Sequence, residues 1–361
     1  KHGIKLVLGY TVEGFKEKDN GVEVLLKDNP SLQADMVVLA IGVTPDTVLA
    51  KEAGLELGIK ESIVVNDRME TSVPDIYAAG DAVQVKHYVT GNDALISLAG
   101  PANKQGRIIA DNICGGDSRY LGSQGSSVIK VFDMTAATTG INETNAKKSG
   151  LEVDTVILSP MSHAGYYPGG KVMTMKVIFE KGSYRLLGAQ IIGYEGVDKR
   201  IDVLATAIHA GLNATQLKDL DLAYAPPYSS AKDPVNMAGF MIDNIAKGIL
   251  KQWHLEDMDK ISKDKDVVLL DVRTVGEFSR GHIDGFKNIP VDELRERISE
   301  IEKGKPVYLI CQSGLRSYIA SRILEGNGYE TYNFSGGFRF YDAVVNDRAL
   351  IERAYACGMD Y

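Results

Sequence analysis

Residues 307–310 form a short apolar run that leads directly into the loop Cys-Gln-Ser-Gly-Leu-Arg at 311–316 and then into a helical pattern. A strand that passes through a tight loop into a helix is the repeating unit of a parallel α/β sheet. An apolar run at 267–270 and amphipathic spacing at 292–301 and 317–324 predict one more strand and two helices. The chain from about residue 255 onward is therefore predicted to be a parallel α/β domain, preceded by a polar hinge at 251–265.

Cys311 lies on the turn between this strand and the following helix. The N–H groups of such a turn converge on one point, the helix start adds partial positive charge, and Arg316 adds a full charge. A thiolate or a bound anion is stabilised in these surroundings. An isolated cysteine is more often a small buried apolar residue, so the neighbouring motifs decide between a nucleophile and a packing residue.

Three motifs upstream of Cys311 favour the nucleophile: Asp-Val-Arg at 271–273, Gly-His-Ile-Asp-Gly at 281–285 and Asn-Ile-Pro at 288–290. Together they resemble the D-V-R, G-H-I-x-G and N-I-P motifs of rhodanese domains, over about residues 255 to 345. The resemblance implies that Cys311 accepts a sulfane sulfur as a persulfide. It also implies that Arg316 and the loop amides hold the persulfide and the incoming anion; the loop residues are Gln312, Ser313, Gly314 and Leu315.

Loop length separates two chemistries of this fold. Phosphatase loops of the same architecture place five residues between the cysteine and the arginine, whereas this loop has four. Sulfur transfer is therefore favoured over phosphate-ester hydrolysis. Four polar residues near the motifs are interpreted as ion-pair and hydrogen-bond partners that shape the sheet edge rather than as reacting groups: Asp271, Arg273, Glu277 and His282.

Charge and cysteine content narrow the remaining functions. Lys and Arg total 40 and Asp and Glu total 48, so the formal net charge of −8 argues against a nucleic-acid or anionic-membrane surface. Three widely spaced cysteines, Cys114, Cys311 and Cys357, predict neither a disulfide framework nor a metal site and indicate a reducing compartment. No apolar run approaches the length of a membrane span. A cytoplasmic location without a membrane partner is expected.

The first 120 residues carry a second set of motifs. Short β-like runs at 5–8, 22–26 and 36–41 predict a small antiparallel meander. An apolar strand at 76–79 ends in Gly80 and Asp81, where a ligand could approach the backbone and find a carboxylate. A helix with Pro101 in its first turn follows and ends at Gly115.

These elements resemble the pyridine nucleotide-disulfide oxidoreductases. Residues 71–81, Thr-Ser-Val-Pro-Asp-Ile-Tyr-Ala-Ala-Gly-Asp, match the second flavin motif of that family, residues 35–46 match its crossover strand, and residues 98–107 match the helix that points toward the flavin ring. The resemblance implies an FAD site that includes Gly80, Asp81, Ala99 and Asn103. It also implies NAD(P)H as the electron source.

A complete enzyme of that family needs G-x-G-x-x-G fingerprints for its two nucleotides, and the sequence contains none. The redox cysteine expected to face the flavin is also absent, and Cys114, at a helix end, is interpreted as structural. We therefore expect the chain to be the C-terminal portion of a longer polypeptide, with the redox cysteine upstream of residue 1.

The region from about 125 to 245 shows strands at 128–132, 154–158, 172–179 and 185–192, then helical spacing at 199–211 and 234–250. This order predicts an α+β domain in the place of the family's dimerisation domain. Tyrosines occur in two Pro- and Gly-rich loops, as in coenzyme A-disulfide reductases, where such tyrosines reach the partner subunit's redox site. That resemblance implies roles for Tyr166 and Tyr224, with Tyr167 and Tyr228 as substitutes; a phenol could protonate a leaving thiolate.

The sequence thus predicts an α/β and α+β multidomain chain: the end of an NAD(P)-binding domain at 1–48, part of an FAD-binding domain at 49–120, a dimerisation domain at 121–250 and a rhodanese domain at 255–361. The expected function is a homodimeric coenzyme A-disulfide or persulfide reductase fused to a sulfurtransferase, acting on a small thiol, disulfide or persulfide. Two alternatives remain open. One is an NAD(P)H oxidase or peroxidase of the same superfamily, and the other is a non-redox dimeric scaffold that carries only the sulfurtransferase.

Overall fold

The computed structural model describes residues 3–357, and the side chains of residues 3–347. The side chain of Cys357, interpreted from the sequence as an ordinary tail thiol, lies outside the described residues. The chain divides into two compact units: the N-terminal segment to Val43 together with the chain from Phe340 onward, and the segment Thr44–Arg339.

The N-terminal segment forms an antiparallel meander of the strands β1 (Val12–Lys18), β2 (Gly21–Leu26) and β3 (Asn29–Ala34). An antiparallel meander is present as predicted, but of the three runs predicted to form it only the one at 22–26 is a strand. The strands predicted at 5–8 and 36–41 are wrong, because both runs are irregular and Ile41 is 90% exposed. An apolar run forms a strand only beside another strand that takes up its backbone hydrogen bonds, and none of the described strands pairs with either run.

Residues 44–120 are rich in turns and hold a small core around Met69, Val83 and Val85. The strand predicted at 76–79 is wrong: Tyr77 forms a single bridge with Glu70, because a turn with Asp75 at φ 65° interrupts the extended chain. The predicted helix is confirmed. The elements of this region are α1 (Val48–Glu52), β4 (Val85–Lys86), β5 (Asp93–Ala94) and α2 (Ala99–Ile113).

The middle region is a five-stranded antiparallel sheet in the order β6-β7-β10-β9-β8, with α4 and α5 sharing its core. The predicted α+β order is confirmed, but the sequence predicted neither the short helix at Glu143–Lys148 nor the strand at Met134–Gly140, whose Thr- and Ala-rich sequence shows no apolar alternation. The elements are β6 (Ser127–Val131), β7 (Met134–Gly140), α3 (Glu143–Lys148), β8 (Val153–Leu158), β9 (Thr174–Glu180), β10 (Leu186–Gly193), α4 (Val197–His209) and α5 (Pro234–Ala246).

The C-terminal region is a five-stranded parallel sheet in the order β11-β15-β14-β12-β13, which confirms the predicted parallel α/β architecture. Its elements are β11 (Gln252–Trp253), α6 (Met258–Ile261), β12 (Val268–Asp271), α7 (Val275–Arg280), β13 (Lys287–Asn288), β14 (Val307–Ile310), α8 (Leu315–Glu325), β15 (Thr331–Phe334) and α9 (Gly337–Cys357).

Two predictions in this region are wrong. The expected helix at 292–301 is a series of turns, mostly with i to i+3 hydrogen bonds, that ends in a 3-10 turn at Ile298–Glu300 and still buries Leu294 and Ile301. The expected hinge at 251–265 contains β11, which pairs with β15, and its Trp253 is 2% exposed. The indole packs against Phe286, Tyr308 and Phe334, so this stretch is part of the sheet rather than a linker.

The antiparallel and parallel sheets are joined by hydrogen bonds near one edge of each. The Ile157 N–H in β8 donates to Ser335 Oγ at 3.1 Å, and Gln252 Nε2 donates to Thr155 O at 2.7 Å. His254 Nε2 lies 3.0 Å from Asp154 Oδ1. Among the residues described here, no helix is long and apolar enough to cross a bilayer.

Candidate functional site

Cys311 lies at the carboxyl end of β14, in the core of the parallel sheet, and is 1% exposed. Two donors point at its sulfur: the Gly314 N–H at 3.1 Å and the Ser317 hydroxyl at 3.2 Å. Gly314 is the N-cap of α8 and has a φ of 100°, a conformation that favours glycine. Hydrogen bonds of this kind strengthen when the sulfur carries negative charge. The loop is therefore suited to hold a thiolate or a persulfide anion.

The loop is supported from below by the turn that follows β15. The Phe338 N–H donates to Cys311 O at 2.8 Å, and the Arg339 N–H donates to Gln312 O at 3.1 Å. Gly337 has a φ of 67°, and a Cβ built on it would lie 2.7 Å from Ser313 N and 2.8 Å from Cys311 O. Only glycine permits this approach, so the position of the loop depends on Gly337.

Arg316 forms a bidentate ion pair with Glu277 from α7. Its Nη1 and Nη2 each donate to a different carboxylate oxygen at 2.7 Å. This contact lowers the pKa of Glu277 to about 2, helped by the hydrogen bonds from Thr274. It also raises the pKa of Arg316. Arg316 lies within electrostatic reach of Cys311, but its guanidinium is paired.

A second guanidinium, that of Arg273, is buried beside the loop. Its Nε and Nη2 donate to the buried carboxylate of Asp271, and Nη2 also donates to Gly281 O at 2.8 Å. The guanidinium carbon lies 3.9 Å from the centre of the Phe338 ring. This pair ties the Asp-Val-Arg motif to the turn that supports the loop.

The other predicted loop residues take different positions. Gln312 Oε1 accepts a long hydrogen bond from Arg273 Nη1 at 3.5 Å, the Ser313 backbone lies against Gly337, and Leu315 is exposed. His282 Nδ1 lies 3.1 Å from Phe278 O, outside the immediate contacts of the sulfur.

The predicted flavin site lies where Gly80 and Asp81 meet α2. The Gly80 N–H donates at 2.7 Å to Oε1 of the buried Gln105, and a Cβ built on Gly80, whose φ is 83°, would meet only Ala102 Cβ at 3.9 Å. The Asp81 carboxylate is exposed and forms no hydrogen bond within the described part of the chain. An open approach to the backbone beside a free carboxylate suits a bound polyol.

The N-terminus of α2 adds to this site. Its N-cap is Leu98, which supplies no side-chain hydrogen bond to the first-turn amides, and Ala99 and Gly100 are exposed. The Asn103 side chain donates to Ala99 O at 2.9 Å. Uncapped amides at the start of a 15-residue helix favour an anionic group. The residues present at Gly80, Asp81 and α2 therefore fit a flavin cofactor, whose ribityl chain is a polyol and whose reduced ring can carry negative charge.

Tyr166 and Tyr224 meet although they come from different loops. Their phenol oxygens are 2.5 Å apart, and this hydrogen bond raises the pKa of Tyr224. Tyr167 instead packs edge-on against His163, and Tyr228 points into solvent without a phenol hydrogen bond in the described residues. A pair of phenols that shares a proton can donate one to a substrate atom.

Arg200, on α4, holds the two tyrosine loops together. Its Nη2 donates to Ser162 O at 2.9 Å, Tyr228 O at 3.3 Å and Asp233 Oδ2 at 3.0 Å. Ser229 Oγ also donates to Asp233 Oδ2, at 2.7 Å. Arg200 is 1% exposed and Asp233 is 3% exposed, so both charges are buried and depend on each other.

The sequence interpretation missed Ser317, Gly337 and Arg200. Ser317 is one residue beyond the matched motif, and a serine in a first helical turn is common. Gly337 and Arg200 act over long sequence separations, which a local pattern cannot show. Cys114, interpreted as structural, is exposed at the end of α2.

Comparison with known families matches three segments of the chain. Residues 1–106 match pyridine nucleotide-disulphide oxidoreductase, residues 126–234 match the dimerisation domain of pyridine nucleotide-disulphide oxidoreductase, and residues 254–343 match the rhodanese-like domain.

Similar proteins are known by structure and by sequence. Reduced Bacillus anthracis CoADR-RHD is 47% identical, with a TM-score of 0.90 over 94% of this chain and 60% of that chain. An NAD-dependent persulfide reductase from A. fulgidus is 41% identical, with a TM-score of 0.83 over 92% and 61%. The NAD(P)H sulfur oxidoreductase (CoA-dependent) of Pyrococcus abyssi is 36% identical over 65% of this chain and 52% of its own length. The chain spans about half the length of the curated relatives it matches.

Proposed function

We propose that this chain, which belongs to the pyridine nucleotide-disulphide oxidoreductase family and carries a rhodanese-like domain, is part of an FAD-dependent reductase. That enzyme would use NAD(P)H to reduce coenzyme A disulfides or persulfides, and it would couple this reaction to sulfur transfer at Cys311. The observation that carries the proposal is the Cys311 loop, where an amide and a hydroxyl both donate to a buried sulfur. The names of the similar reductases support the same substrate class.

At the first site, this chain supplies residues that bind and orient the flavin. Asp81 would accept hydrogen bonds from its polyol hydroxyls, Gly80 would leave the backbone open beside it, and the N-terminus of α2 would stabilise negative charge. When bound, FAD supplies the transfer of electrons from NAD(P)H to a disulfide or persulfide. The Tyr166–Tyr224 pair would hold the proton that the departing thiolate of coenzyme A requires.

At the second site, the Cys311 sulfur would attack the outer sulfur of a persulfide. The bond between the two sulfurs of the donor breaks, a new sulfur–sulfur bond forms at Cys311, and the donor leaves as a thiol. The Gly314 N–H and the Ser317 hydroxyl would then hold the negative charge of the new persulfide. A buried position would protect that persulfide from water and from other thiols.

The test of this proposal uses the full-length protein. After incubation with glutathione persulfide, mass spectrometry should find the Cys311 peptide heavier by one sulfur atom, while the exposed Cys114 serves as the internal comparison. The purified protein should show a flavin absorbance band that bleaches when NADH or NADPH is added. An unmodified Cys311 would remove the sulfurtransferase half of the proposal, and absence of the band would remove the reductase half.

Tyr166→Phe is expected to lower the turnover of coenzyme A disulfide about 10- to 100-fold, because the phenol pair loses its shared proton. The pH dependence should change as well. Tyr166 raises the pKa of Tyr224, so its removal should move the alkaline loss of activity to lower pH. Steady-state rates measured between pH 7 and about pH 11 report both effects.

Tyr228→Phe is the matched control for the phenol pair. Tyr228 is an exposed tyrosine on the same loop as Tyr224, and its phenol forms no hydrogen bond in the described residues. Turnover within about threefold of the wild type is expected. A larger loss in Tyr228→Phe than in Tyr166→Phe would transfer the proposed role to Tyr228.

The organisation of the chain follows from the same proposal. Residues 1–48 and 49–120 would complete NAD(P)- and FAD-binding domains, residues 121–250 would form the interface of a homodimer, and residues 255–361 would form the sulfurtransferase. The match of 126–234 to a dimerisation domain supports the dimer. The low cysteine content supports a reducing, cytoplasmic compartment.

A further inference from the structure

The guanidinium groups nearest the Cys311 loop are both neutralised by carboxylates. Arg316 is held by both oxygens of Glu277, and Arg273 is held by Asp271. Arg339 touches the loop through its backbone, but its side chain is exposed, where water screens its charge. The sulfur therefore receives hydrogen bonds from an amide and a hydroxyl, and among the residues with described side chains the two buried or half-buried guanidinium groups beside it are both paired with carboxylates.

The pairing of both guanidinium groups with carboxylates matters because sulfur donors differ in charge. Thiosulfate carries two negative charges and needs a cation to offset them in a confined site. A persulfide or a thiosulfonate carries one negative charge on its sulfur group, which the loop amide and hydroxyl can hold. The two classes react in the same way and differ in the charge that the site must accept.

We infer that Glu277 determines which sulfur donors the Cys311 loop accepts. Because its carboxylate neutralises Arg316, the loop selects donors with one negative charge over donors with two. The inference rests on the proposed sulfurtransferase function and adds to it the specificity-determining residue. Glu277 would act through Arg316, without contact with the reacting sulfur.

The reaction is the same for both donors. With methanethiosulfonate, the Cys311 thiolate attacks the terminal sulfur, the sulfur–sulfur bond of the donor breaks, and methanesulfinate leaves with the electron pair. With thiosulfate the same bond breaks and sulfite leaves. In each case Cys311 ends as a persulfide anion, and the total charge is conserved. The two donors are close in size, so the comparison between them isolates charge.

Glu277 can be changed with little effect on its helix. It completes a capping box with Thr274, in which its Oε2 accepts from the Thr274 N–H at 3.0 Å and from the Thr274 hydroxyl at 2.9 Å. A glutamine side chain can accept the same hydrogen bonds, because Gln also serves at this position of the capping box. Glu277→Gln therefore removes the charge while it keeps the start of α7.

The experiment measures kcat/KM for thiosulfate and for methanethiosulfonate, with the full-length protein and cyanide as the sulfur acceptor. Glu277→Gln should raise the ratio of thiosulfate to methanethiosulfonate at least about tenfold, as expected for one released unit charge at a partly screened site. High salt should reduce this gain. Glu293→Gln is the matched control, since it removes one carboxylate of the same domain that pairs with Arg297, and its donor ratio should equal that of the wild type.

A second variant tests the inference in the opposite direction and does not depend on the folding of the first. Arg316→Gln leaves Glu277 unpaired, so the donor ratio should fall at least about tenfold. An unchanged ratio of kcat/KM for thiosulfate to that for methanethiosulfonate in Glu277→Gln would overturn the inference, while sulfur transfer at Cys311 would still stand. If Glu277→Gln does not fold, an unchanged ratio in Arg316→Gln would overturn it in the same way. If the wild-type protein is inactive with both donors and Cys311 stays unmodified, the proposed function is overturned, and this inference is overturned with it.

Discussion

Cys311→Ser should reduce sulfur transfer by at least about a thousandfold, because the substitution removes the atom that forms the persulfide. The fold should survive. Serine fits the same buried position, and its hydroxyl can accept the hydrogen bonds that the Gly314 N–H and the Ser317 hydroxyl now give to sulfur. The rate is measured with a persulfide donor and cyanide, and circular dichroism checks the fold.

Cys114→Ser is the matched control for this prediction. Cys114 is exposed at the end of α2, so its replacement should leave sulfur transfer within about twofold of the wild type and hardly change the stability. Sulfur transfer that persists in Cys311→Ser within tenfold of the wild type would contradict the assignment of Cys311. A loss caused by Cys114→Ser would move the assignment to that residue.

Asp233→Asn should destabilise the middle domain by about 3–5 kcal/mol, the cost of leaving a buried charge without its partner. Arg200 would keep its charge at a position that is 1% exposed, while its remaining acceptors are the neutral oxygens of Gly196, Ser162, Tyr228 and Ser229. Asparagine is a good N-cap, so α5 should still begin at Pro234 and the loss should come from the ion pair. Calorimetry should show the thermal midpoint falling by about 6–20 °C.

Two further variants separate the buried pair from an ordinary charge effect. Asp243→Asn, on the same helix, breaks the ion pairs with the exposed Lys247 and with Lys218 and should cost at most about 1 kcal/mol. Arg200→Met combined with Asp233→Asn should be more stable than Asp233→Asn alone, because no buried charge then remains. Equal losses in Asp233→Asn and Asp243→Asn would show that the buried Arg200–Asp233 pair contributes no more stability than an exposed ion pair.

Local patterns predicted the parts of the fold whose determinants are close together in the chain. The strand at 307–310, the Cys311 loop and the helix after it form one continuous segment, and each boundary carries its own signal. The helix predicted from Pro101 to Gly115 succeeded for the same reason. The run at 36–41 failed because apolar character alone does not make a strand, which also requires neighbours that no local pattern supplies.

The sequence predicted the loop that surrounds Cys311, but it did not predict that the positive charge of Arg316 is neutralised by a carboxylate. The sequence indicated Arg316 as a cation near Cys311, whereas its pairing with Glu277 spans 39 positions and depends on how α7 packs beside the loop. Arg200 looks in sequence like an exposed helical residue. Its burial and its contacts with two loops are properties of the packed domain. The importance of Gly337 is visible only in the folded structure, where a Cβ built on it would lie 2.7 Å from Ser313 N.

The hydrogen bonds between the antiparallel and parallel sheets bear on how sulfur would be delivered under the proposed function. Ser335, which accepts from the Ile157 N–H, directly precedes Gly336 and Gly337 beneath the Cys311 loop, so the support of the loop is itself fastened to the middle domain. Under the proposed function, these contacts would hold the domain in place, so that it would not move to carry sulfur between two sites. Under the proposed function, delivery would then fall to a diffusible small thiol that takes up sulfur at one fixed centre and releases it at another.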